Sequence, residues 1–146
     1  MGIYINPGND AFKEIADSDY VDKTGLISLI NSTIEKKNKL TCISRPRRFG
    51  KSWAARMLTA YYDRSCDSHE LFDDKVIAKD AGYGKYLNSF NVIYLDITSF
   101  TSEIQTGDDS LRNIPERIRD ALLKDLKEAG FPVEEKDSLN DNIFGV

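Results

Sequence analysis

Gly50, Lys51 and Ser52 have the residue types and the order that grip phosphate, and they close the run Arg45-Pro46-Arg47-Arg48-Phe49-Gly50-Lys51-Ser52. Glycine allows a tight turn whose backbone N–H groups point inward. Lysine adds a point charge for terminal phosphates, and the serine hydroxyl is a ligand for magnesium. Such a loop ordinarily opens on a glycine too, and that place holds Arg45, which resists positive φ. Pro46 removes one backbone donor but fixes φ, while Arg47 and Arg48 bring side-chain donors of their own. The competing reading is a basic, solvated helix start with no ligand.

A loop of this kind works only when a strand delivers it and a helix begins directly behind it. The run "KLTCISR", residues 39–45, is apolar with a β-branched bias and predicts a buried strand, with Cys42 a buried, reduced thiol. Gly50 to about Asp63 predicts a helix that turns Trp53, Met57, Leu58 and Tyr61 towards a core. Upstream, Leu26, Ile27, Leu29, Ile30 and Ile34 mark a helical face that Asp22 or Thr24 can cap. Downstream, "HELFDDKVIA" predicts a short helix and "GYGKYLNSF" a turn and loop. "NVIYLDIT" predicts a second strand, apolar on both faces as in a parallel sheet between helices. Ile114, Ile118, Leu122, Leu126 and Ala129 form a late helical stripe, with Pro115 in its first turn and Gly130 past its end.

Strand, loop, helix, strand and helix is the α/β pattern: a P-loop NTPase-like parallel sheet flanked by helices. Two strands are too few to complete a sheet, so the expectation is an incomplete one. The 146 residues suit one domain, with an N-terminal segment over 1–22, a core over 23–130 and a connection over 131–146 to a further C-terminal part. No apolar run is long enough to span a membrane, and the N-terminus carries no basic-then-apolar secretion signal. With two cysteines and no CxxC spacing, the expectation is a cytoplasmic protein. Net charge is −4, which disfavours a nucleic-acid partner. Yet Arg45, Arg47, Arg48, Lys51 and Arg56 lie in a stretch without a carboxylate, a pattern suited to a compact polyanion.

"RPRRFGKS", preceded by "YVDKTGLI" and followed by "FNVIYLDITSF", resembles the N-terminal part of the bacterial AAA-ATPase-like family. That family is a predicted P-loop ATPase domain, often joined to a PD-(D/E)XK nuclease-like domain. The resemblance covers about residues 10 to 100, and the arginine-containing loop is the family's own form of the Walker A motif. It implies that Arg45, Pro46, Arg47, Arg48, Phe49, Gly50, Lys51 and Ser52 bind ATP with Mg2+, Ser52 on the metal. Trp53, next in the chain, is read as core packing, with stacking on the base as its alternative. "YVDKT", Tyr20 to Thr24, matches a family signature that either touches the loop or nucleotide or satisfies backbone amides.

Hydrolysis needs more: a strand-end acid for magnesium and a group that orients water. Asp96, after the apolar run of "VIYLDIT", is the candidate metal-side acid, with turn capping beside Thr98 and Ser99 as its alternative. The resemblance places the family's magnesium acid and catalytic glutamate on a later strand ending in adjacent Asp and Glu. No apolar run followed by Asp-Glu occurs after Phe100. The expectation is therefore a nucleotide-binding module with impaired hydrolysis. The alternative is a non-catalytic protein that binds a protein partner or nucleic acid through its arginine cluster.

Overall fold

A computed structural model describes residues 3–37, 39–101 and 113–133. The polar loop at 102–110 and the connection beyond residue 133 lie outside the described residues. The chain divides into two compact units, one of residues 8–92 and one of residues 1–7 with 93–146.

The larger unit is built on helices. α1 (Asp10–Ala16) and α2 (Gly25–Asn31) are short, and α3 (Lys51–Tyr62) is the longest. The single-turn helices α4 (His69–Phe72) and α5 (Tyr83–Tyr86) follow, with a 3-10 turn at Val76–Lys79 between them. The core forms because α3 presents Met57, Ala60 and Tyr61, one turn apart, to Phe12, Ile27, Phe72 and Ile77. The rings of Phe12 and Phe72 stack at 5.3 Å, and Tyr61 meets Phe72 edge-on at 5.3 Å. Each ring so enclosed contributes about 1.5–3 kcal/mol. Met57 and Tyr61 thus take the core places expected of them beside Phe12, and Leu58 packs against the same cluster.

The end of α3 is fixed by polar groups that are buried or partly buried. Asp63 is fully enclosed; its carboxylate accepts N–H bonds from Gly8 (2.7 Å) and Ser65 (2.8 Å). Asn88, at φ 51, donates Nδ2 to the Asp63 carbonyl (2.6 Å) and accepts from Ser68 N–H (2.9 Å) at Oδ1. Asparagine tolerates that left-handed backbone better than most residues.

The second unit holds α6 (Ile97–Thr101) and α7 (Ile114–Glu128). α7 matches its stripe: Leu122 and Leu126 are buried with Ile5, Pro115 lies in the first turn, and Gly130 takes φ 80 past the end. Asp125, on the same helix, is also buried. It accepts N–H bonds from Ile3 (3.0 Å), Tyr4 (2.8 Å) and Ile5 (2.6 Å).

The expected parallel sheet is not seen. Among the described residues there is no strand, only two isolated bridges, Ile5 with Ile93 (antiparallel) and Asp63 with Phe90 (parallel). A strand exists only where neighbours take up its N–H and C=O groups. Described residues of 39–46 run without regular structure and are exposed throughout, Leu40 to 92%. Cys42 is accordingly exposed, contrary to the buried thiol expected. The 91–98 run forms no strand, though it includes an isolated pairing of Tyr94 N–H with the Tyr4 carbonyl (2.9 Å). Among the described residues no helix is long and apolar enough to cross a membrane.

Candidate phosphate-binding site

Left-handed backbone builds the turn before α3, at Gly50 as the sequence suggests and at Arg48, which it does not. Arg45 is not asked to take positive φ; Arg48 (φ 68) and Gly50 (φ 73) do so on either side of Phe49. Gly50 is the N-cap of α3, and no side chain caps that end. The N–H groups of a helix's first turn have no acceptor within the helix, so here they are left to solvent or to a ligand. Ala54 N–H already reaches back to the Gly50 carbonyl (2.9 Å), which sets the first helical turn directly behind the loop.

Glycine suits position 50 because its φ is strained for any other residue. A Cβ there would stand 2.9 Å from the Lys23 ammonium, the mobile end of a side chain that can move aside. Arg48 has no such excuse: a non-glycine residue in this region costs about 1–2 kcal/mol. Strain that persists at a cavity wall points to a use for the side chain. Arg48→Gly is therefore expected to raise unfolding stability by about 1 kcal/mol in urea titration.

Lys51 bends back over the loop. Its Nζ donates to the Arg45 carbonyl (2.6 Å) and the Pro46 carbonyl (2.9 Å). An ammonium carries three donors, so this brace leaves one for a ligand. The loop encloses a hollow of about 510 Å3, lined by Gly50, Ser52, Trp53 and the cations Lys23, Arg47, Arg48 and Lys51. A second hollow of about 440 Å3 shares Lys23, Gly50 and Lys51 and adds Arg45 and Phe49 to its wall. Neither is lined by a carboxylate. Among the described residues, none of the four cations around the first hollow forms an ion pair.

The residues from Arg45 to Trp53 thus stand around one turn. Pro46 enters through its carbonyl. Trp53 departs from the packing expected of it: it is 44% exposed and lines the hollow instead of the core. Asp96 belongs to the other unit. There its Oδ1 accepts from Thr98 N–H (3.0 Å) and Thr98 Oγ1 (2.5 Å), and its carbonyl from Ser99 Oγ (2.7 Å), the arrangement of a turn cap.

The segment Tyr20–Thr24 divides its side chains between two tasks. Tyr20 OH reaches Met57 Sδ on α3 (3.2 Å). Asp22 accepts from Thr24 N–H (2.8 Å) and Val76 N–H (2.9 Å), and Thr24 Oγ1 accepts from Ile77 N–H (3.1 Å). Asp22 and Thr24 therefore do satisfy amides, including those of the 3-10 turn; neither side chain caps α2 itself. Burial alone raises the Asp22 carboxyl, but the hydrogen bonds from Val76 and Thr24 outweigh it and hold the group below its usual value. Lys23 points the other way, its Nζ 3.4 Å from the Phe49 carbonyl in the loop. Sequence reasoning left this residue out of the site, since only its place within "YVDKT" hinted at a contact.

The sequence matches the predicted AAA-ATPase family over residues 7–143. The chain belongs to that family. No curated protein and no solved structure matches it. Membership of the predicted AAA-ATPase family is consistent with nucleotide binding and with ATP as the nucleotide.

Proposed function

We propose that this chain is an ATP-binding module that holds a magnesium–nucleotide complex through Arg45–Ser52, with hydrolysis impaired in this chain alone. The observation that carries the reading is the hollow at the start of α3, where Lys23, Arg47, Arg48 and Lys51 surround Gly50 with no carboxylate in the lining. Like charges crowded so closely repel one another, and a triphosphate supplies the missing negative charge. The first helical turn, which no side chain caps, begins at residues that line the same hollow and adds N–H donors there.

The metal fits in a limited way. Ser52 brings a hydroxyl to the hollow, and among the described residues no group of three or more His, Cys, Asp or Glu side chains is arranged to hold an ion. Magnesium binds readily through substrate phosphates while keeping several waters, so Ser52 and the phosphates would hold it together. Its chemistry there is to neutralise phosphate charge. Trp53, half-exposed among the residues that line the hollow, would supply an indole on which a base could stack. A cradle of cations without a water-orienting carboxylate supports binding in preference to turnover.

Calorimetric titration of the chain with Mg-ATP tests the reading. A saturable one-to-one isotherm is expected, with AMP binding more weakly. The absence of any saturable heat with ATP would remove it.

A further inference from the structure

The Tyr20–Thr24 segment is held on three sides: by Tyr20 against Met57, by Asp22 on Val76, and by the fully buried Thr24 on Ile77. Lys23 is thereby delivered to the loop from a separate part of the chain. Its own contact there is slight, since 3.4 Å to the Phe49 carbonyl is a long hydrogen bond at an exposed position. That contact does not account for setting a flexible ammonium beside Arg47, Arg48 and Lys51, where repulsion opposes it. Lys23 also lines both hollows, and its Nζ would lie 2.9 Å from a Cβ at Gly50.

We propose that Lys23 is a second phosphate-binding cation of this site, reading the outer phosphates of a nucleoside di- or triphosphate. The inference rests on the nucleotide reading of the loop and deepens it. Loop amides and one lysine suffice for a single phosphate. A second ammonium approaching over Phe49–Gly50 adds contacts only when the anion is longer. Lys23 therefore confers preference for polyphosphate over monophosphate, and its anchoring residues Tyr20, Asp22 and Thr24 act as positioning residues.

The experiment compares wild type, Lys23→Met, Lys23→Arg and Lys51→Ala by calorimetry with ATP, inorganic tripolyphosphate and AMP. Thermal melting in the absence of ligand checks that each variant is folded. Lys23→Met is expected to weaken ATP and tripolyphosphate roughly tenfold, the scale of one charge-assisted contact, and to leave AMP unchanged. Lys23→Arg should recover most of the loss. Wild-type affinity in Lys23→Met, alongside loss in Lys51→Ala, overturns the role of Lys23 and leaves the nucleotide reading standing. Equal weakening of ATP and AMP also overturns it, because a residue that merely shapes the loop would act on both. If the wild type binds no ATP, the nucleotide reading and this inference fall together.

Discussion

Replacing Lys51 by Ala is expected to weaken ATP binding at least about 100-fold while the protein stays folded. Two losses combine. A charge-assisted contact to phosphate is worth about 1.5–3 kcal/mol, and about 1.4 kcal/mol corresponds to each factor of ten in affinity. The ammonium also braces the loop through the Arg45 and Pro46 carbonyls, at 2.6 and 2.9 Å. Without that brace, nothing described ties the start of the turn to α3, and a ligand must order it on arrival. Lys51 is exposed and belongs to no buried cluster, so its removal should leave the melting temperature nearly unchanged. Calorimetry beside thermal melting separates the two effects. Wild-type affinity in the variant would show that phosphate, if bound at all, is bound elsewhere.

The largest effect on stability is expected at Asp125, far in sequence from the loop. The side chain is 4% exposed and takes three N–H bonds from Ile3, Tyr4 and Ile5. Asp125→Ala leaves those donors without their acceptor, and a loss of about 3–4 kcal/mol is expected in urea unfolding of the whole chain. Burial alone raises this carboxyl, but the three backbone N–H groups outweigh it and hold it below the usual aspartate value. A depressed folded value adds stability that is fully present above the unfolded value of about 3.9. That stability disappears as pH falls through the lower folded value. Asp125→Asn removes this titration, so its stability should fall less steeply than that of wild type in the same acid window. An unchanged acid limb in Asp125→Asn would mean that other carboxylates, Asp22 among them, govern acid unfolding.

Local features of the fold were legible in the sequence, and features made by distant partners were not. The loop before α3 depends on Gly50, Lys51 and the helix that starts with them, all within a few residues, and it formed where expected. α7 was equally plain, since Pro115, Gly130 and the stripe between them are short-range signals. The two apolar runs at 39–45 and 91–98 have strand-like composition, but a strand is completed by its neighbours, and among the described residues these runs take part only in the isolated Ile5–Ile93 bridge. The same limit explains Cys42 and Trp53: each was assigned to an interior that a sheet would have created. Asp22 and Thr24 were recognisable as acceptors for amides. Their partners in the 3-10 turn, Val76 and Ile77, lie 54 and 53 residues away and carry no local mark. Positive φ is signalled in sequence by glycine, so Gly50 was foreseeable and Arg48 was not.

Trp53 makes the central claim directly measurable, because it is the chain's single tryptophan and it lines the hollow beside Lys51 and Ser52. Titration with Mg-ATP should change its fluorescence along a saturable curve, and that change should vanish in Lys51→Ala. An indole signal indifferent to ATP in the wild type, with no binding detected by calorimetry on the same sample, would contradict the assignment of this turn to a nucleotide's phosphates.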